Sequence, residues 1–144
     1  MSRAEHTVEI ARPPGEVFPY LVEPGLMTRW IGGLIAFDRV DDAPHVGARS
    51  RQKVHQAGRD WDVETEIVEL VPDRRLVARS KTSAFTTVLA YDLDAADGGR
   101  TRLTGTADTT LRGPGGRLFG SVAGLAAERK LAADLDRLKA LLER

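Results

Sequence analysis

Seven residues with polar or ring-bearing side chains recur on one face of a run of predicted strands: Ser50, Gln52, Trp61, Thr65, Ser80, Thr87 and Tyr91. Hydroxyl, amide and indole groups bind by giving and taking hydrogen bonds, and none is a strong acid or base at neutral pH. Burying them costs stability unless each finds a partner, so their repetition on an inward face points to water or a ligand beside them. His6 shares parity with Val8 and Ile10, and its imidazole would be the natural acid or base. A lone histidine near the start of a strand is more often structural or exposed, so the catalytic residues stay unassigned, with His6 and Tyr91 as weak candidates. His45 falls in a turn and His55 in an outward basic row. Trp30 and Trp61 either stack on a flat ligand or anchor the core.

The three histidines have no metal-binding spacing, and the chain has no cysteine. Disulfides, thiolate catalysis and iron–sulfur clusters are thereby excluded. Phosphate-loop, dinucleotide and triad motifs are absent too, so neither a metal nor a cofactor is expected.

The elements that must position these residues follow from periodicity and punctuation. Residues 5–12 alternate as a half-buried strand, stopped by Pro13 and Pro14. A short helix is expected over 14–21, distorted by Pro19, and a second from Pro24 to Trp30, ended by Gly32-Gly33. Period-two alternation then predicts strands at 34–40, 47–57, 61–71, 74–82, 85–93 and 100–112. In the third of these the apolar parity slips after Ile67 to Val68 and Leu70, which reads as a bulge. Gly105 marks a bulge or a close approach. The outward rows Arg49, Arg51, Lys53 and Asp62, Glu64, Glu66 are placed to face each other across a hairpin. After the break at Gly113–Gly116 a helix runs to the end, with Leu118, Val122, Leu125, Leu131, Leu135, Leu138 and Leu142 as its apolar stripe.

Composition narrows the function classes. The chain has 144 residues, 42% hydrophobic and 29% charged, which suits one domain spanning 1–144 with its own core. Twenty-one basic residues balance 21 acidic ones, against the basic excess of a nucleic-acid binder. No apolar run is long enough to span a membrane, and charges occupy the place of a secretory signal's apolar core. A cytoplasmic protein without integral membrane association is expected. Zero net charge offers little colloidal repulsion, so monomer and homodimer both remain open.

The segments VEIARPPGEVFPYL and EPGLMTRWIGG resemble the N-terminal signature of the START-like, or SRPBCC, helix-grip superfamily. TEIVELVPDRRLVARS, GGRTRLTGTADTTLRG and ADLDRLKALLER are similar to its middle strands, last strand and final helix. Among its branches the chain looks most like the bacterial polyketide cyclase/dehydrase and lipid-transport group. The resemblance implies an α+β fold: a seven-stranded curved antiparallel sheet wrapped around a long C-terminal helix, with two short helices after strand 1. It also implies an elongated apolar cavity between sheet and helix.

Small residues on that helix, Gly120, Ala123, Gly124, Ala126 and Ala127, would leave room in such a cavity. The expected ligand-binding set is Trp30, Ser50, Gln52, Trp61, Thr65, Thr87, Tyr91, Phe119, Val122 and Ala126. Phe18, Met27 and Leu34 stand near its entrance. Three readings follow. A binding protein would hold a small hydrophobic or aromatic molecule such as a lipid, quinone or polyketide. A metal-free cyclase or dehydratase would need an acid/base group and a group that steadies an enolate. The inward set offers no secure carboxylate, lysine or arginine for that work. An interaction module would have a filled interior and an exposed apolar patch.

Overall fold

The structure is a computed structural model describing residues 2–39, 43–56, 58–111 and 116–144, the last segment with side chains from residue 125 onward. Among the described residues, seven strands form one sheet in the order β1-β7-β6-β5-β4-β3-β2, every neighbouring pair antiparallel. The strands are β1 (Ser2–Ile10), β2 (Leu34–Arg39), β3 (Arg49–Gln56), β4 (Arg59–Val71), β5 (Arg75–Lys81), β6 (Phe85–Ala96) and β7 (Arg100–Leu111). Helix α4 (Gly116–Leu142) lies against β1 and β7. At 27 residues it is about 40 Å long. None of the helices among the described residues is long and apolar enough to cross a membrane.

Three single turns, α1 (Pro14–Val17), α2 (Pro19–Val22) and α3 (Pro24–Met27), join the two edge strands where two short helices were expected. Pro19 divides the first of those, because it has no N–H to continue the ladder and instead opens α2. Each of the three turns carries a proline in its first positions.

β4 joins β5, and β6 joins β7, through tight turns that need left-handed backbone, at Asp73 and at the Gly98-Gly99 pair. The bulge foreseen after Ile67 lies between Ile67 and Glu69 in the β4–β5 ladder. On the convex face Arg49 stands opposite Glu66, Arg51 opposite Glu64 and Lys53 opposite Asp62. Glu64 and Glu66 then meet Lys81 and Arg79 on the other side. This alternation of sign fixes register, at a few tenths of a kcal/mol per exposed pair.

The core forms where α4 presses its stripe onto the sheet. Leu131, Leu135, Leu138 and Leu142 pack with Ala4, Val8 and Ile10 of β1 and Leu103 and Ala107 of β7. A Cβ on Gly105 would come within 3.0 Å of Leu131 and Leu135, so a close approach, rather than a bulge, explains this glycine. The expected stripe fails at Leu125, which is 49% exposed. Six residues separate it from Leu131, which turns the two side chains about a third of a turn apart on the helix.

Candidate binding site

The inward residues of the sheet fall into rows set by strand register. Val8, Leu103 and Leu93 form one row, all buried. The next holds His6, Gly105, Tyr91 and Leu76, and the one after Ala4, Ala107, Leu89, Ala78 and Ile67. One row further, the chemistry changes. Ser50 stands opposite Thr65, Thr65 opposite Ser80, Ser80 opposite Thr87 and Thr87 opposite Thr109. Side chains directly opposite in an antiparallel pair share a face, so these five hydroxyls make one line across five strands. Ser50 is buried, and the other four are half-buried. Thr65 Oγ1 lies 2.9 Å from Ser80 Oγ, and Thr87 Oγ1 lies 3.1 Å from Thr109 Oγ1.

Beside one end of this row is a cavity of about 60 Å³. Leu21 and Val22 of α2, Met27 of α3, and Phe37 and Ile67 from the sheet supply apolar walls. Ser50, Gln52 and Thr65 supply its polar side, and Arg49 also lines it. The space accommodates a few waters and is smaller than the ligand cavity expected from the sequence. Met27 does stand at this cavity, whereas Phe18 and Leu34 are buried.

The remaining expected site residues divide into separate places. Trp30 and Tyr91 lie under α4, 1% and 6% exposed, with ring centroids 5.9 Å apart in an edge-on contact. Neither lines the cavity. Trp30 Nε1 donates to the Tyr20 carbonyl at 2.8 Å, which anchors the short turns to the core. Burial, with the nearby Asp134 charge adding, holds the Tyr91 phenol well above its ordinary value of 10. Tyr91 therefore keeps its proton and cannot serve as a phenolate base.

His6 turns toward α4, its Nε2 3.1 Å from Asp136 Oδ1, and does not reach the cavity. Ala126 is exposed, contrary to the inward place expected of it. The side chains of Phe119 and Val122, with those of Gly120, Ala123 and Gly124, lie outside the described residues. Of the charged interruption in the stripe, Glu128 and Arg129 are exposed, while Lys130 pairs with Asp134 instead of reaching the cavity.

Trp61 sits at the far end of the same concave face, half-buried. Its indole donates to the Gln56 carbonyl at 3.1 Å, and its ring lies 5.5 Å from that of Phe85. The Arg59 guanidinium stacks 3.9 Å over Trp61. Arg59 shares strand parity with Trp61, Val63 and Thr65 but is exposed, so an arginine stands beside the inward set rather than buried within it. Arg59 falls between the strands predicted at 47–57 and 61–71, and the pattern of 100–112 does not separate its two faces, so neither Arg59 nor Thr109 stands out in the sequence.

Asp134 carries no signal in the sequence pattern. Its Oδ1 accepts from the Gly32 amide at 3.0 Å and from Arg137 Nη1 at 3.1 Å, and Arg137 Nη1 donates to the Trp30 carbonyl at 2.7 Å. These bonds tie α4 to the chain entering β2. At Gly33, φ is +80° and a Cβ would lie 2.2 Å from the His55 carbonyl, so only glycine fits that entry. Among the described residues no group of three or more histidine or carboxylate side chains could hold a metal ion.

Residues 1–143 match the family model for polyketide cyclase / dehydrase and lipid transport. The chain belongs to this family. No curated protein matches the sequence. Among solved structures, the Zhui aromatase/cyclase from a Streptomyces species is similar to this family member with a TM-score of 0.82 at 22% identity, covering 99% of this chain and 93% of that one. A protein from Thermus thermophilus gives a TM-score of 0.78 at 16% identity, covering 97% and 96%. A Chromobacterium violaceum protein gives 0.76 at 14%, covering 99% and 98%. At such identities the likeness shows a shared helix-grip fold.

Proposed function

We propose that this family member binds a small hydrophobic or aromatic molecule, of the lipid, quinone or polyketide kind, against the polar part of its concave face. The observation that carries this reading is the half-buried hydroxyl row beside a cavity with apolar walls. An ordinary two-layer core would place aliphatic side chains there, and polar groups at that depth need partners. Membership in a family described by polyketide cyclisation and lipid transport supports the same reading. Native mass spectrometry of protein from its own host, followed by denaturing extraction, tests it. A stoichiometric apolar molecule is expected. An empty protein whose tryptophan emission is also unmoved by lipids, quinones and aromatic polyketides would reject it.

A metal-free cyclase or dehydratase is the second reading, favoured by Arg59. This cation shares the inward parity of Thr65, stands over Trp61, and could steady a developing enolate. Turnover of a bound poly-oxo substrate with loss of water, abolished in Arg59→Gln while binding persists, is its expected signature. Release of every bound molecule unchanged would leave carriage alone.

A further inference from the structure

The hydroxyl row has a geometry that bears on which ligands fit. Its four half-buried members form two hydrogen-bonded pairs, Thr65 with Ser80 and Thr87 with Thr109. Each pair uses one of its two hydroxyl protons in the bond between its members. Among the described residues these hydroxyls make no other side-chain hydrogen bond, so the second proton and the remaining lone pairs are open to another partner. One pair bridges β4 and β5 and the other β6 and β7. Their centres are thus two strand spacings apart, roughly 10 Å. Ser50 extends the line to the cavity, where Gln52 adds an amide.

We propose that this row is the specificity-determining element of the site. The ligand lies across the strands, with oxygens along one long edge set against the two hydroxyl pairs and its apolar remainder turned from the sheet. This rests on the binding role proposed above and adds orientation and selection to it. A flat molecule carrying ketone or phenol oxygens on one edge satisfies both pairs. A hydrocarbon chain expels the same water and leaves their spare protons unmatched, which is the costly outcome for a buried donor.

Isothermal calorimetry on the purified full chain with three probes tests the proposal. They are 2,7-dihydroxyanthraquinone, whose hydroxyls lie on one long edge roughly 10 Å apart to match the two pairs, its 2,6 isomer with hydroxyls on opposite edges, and palmitate. The same-edge isomer is expected to bind roughly tenfold more tightly than the opposite-edge isomer, a factor that one to two additional hydrogen bonds supply. In the paired variant Thr87→Val/Thr109→Val that preference collapses, while palmitate binding does not weaken. Changing both members together keeps their shape and leaves no hydroxyl without its mate. Equal binding of the two isomers to the unaltered protein would overturn the proposal without recourse to any variant, and the binding role would stand. If none of the three probes binds, the proposal falls, and the native mass spectrometry described above decides separately whether the binding role stands.

Discussion

The two ends of the same strands make different surfaces. Along β6 the inward residues run Leu93, Tyr91, Leu89, Thr87 and Phe85, and they pass from buried to half-buried in that order. Along β7 they run Leu103, Gly105, Ala107 and Thr109, with the same change at the last step. One end meets the leucines of α4 and is sealed; the other carries hydroxyls, an indole and an arginine. The strands keep identical alternation throughout, so pleat alone does not make a core. What differs is coverage by the C-terminal half of α4, and the residue types follow it. A sealed surface tolerates only apolar or fully partnered groups, whereas the half-buried end can keep polar groups that water or a ligand satisfies.

The contrast can be broken most severely at the sealed end. Leu135 has no exposed surface and packs among Leu131, Leu138 and Leu103. Leu135→Ala is expected to cost about 2–5 kcal/mol in urea unfolding, through lost burial and the cavity left behind. A cost below about 1 kcal/mol would mean that α4 does not seal this end. The carboxylate that fastens the helix comes next. Asp134→Ala removes the acceptor of the Gly32 amide and of Arg137, and should cost about 2 kcal/mol. An unchanged unfolding midpoint would show that the clamp contributes nothing.

Titration distinguishes the ends in a third way. Tyr91 stays protonated in the folded chain above its ordinary value of 10, whereas in the unfolded chain it ionises near that value. Its contribution is therefore complete below about pH 10 and declines as pH rises beyond it, by about 1.4 kcal/mol per pH unit. Tyr91→Phe should remove that part of the alkaline slope; an identical slope in both proteins would contradict the burial. The smallest effect belongs to the half-buried end. Arg59→Gln should lower stability by only about 0.5 kcal/mol and shift tryptophan emission, since it removes an exposed cation from the face of Trp61. A loss as large as that of Leu135→Ala would mean that the two ends do not differ as described.

Much of this arrangement was legible from residue order. Alternation placed the strands, the slip at Val68 and Leu70 placed the bulge, and the charged rows foretold which outward residues would face one another. Those features depend on neighbours in the chain or on one hairpin, so a period of two and a turn signal suffice. The inward parity of Ser50, Thr65, Ser80 and Thr87 came from the same local rule. Alternation could not separate Tyr91 from Thr87, because both point inward and only the position of α4 distinguishes them. For Trp30 the sequence leaves ligand contact and core anchor both open, and the fold sets it against Tyr91, beneath a helix that begins more than 80 residues later in the chain. The partners of Asp134 and the outward turn of Leu125 depend on where one helix lies and how it is rotated on the sheet. Sequence periodicity determined which face each residue occupies. Contacts between segments far apart in the chain decided which stretches of that face are buried beneath α4 and which stay half-buried.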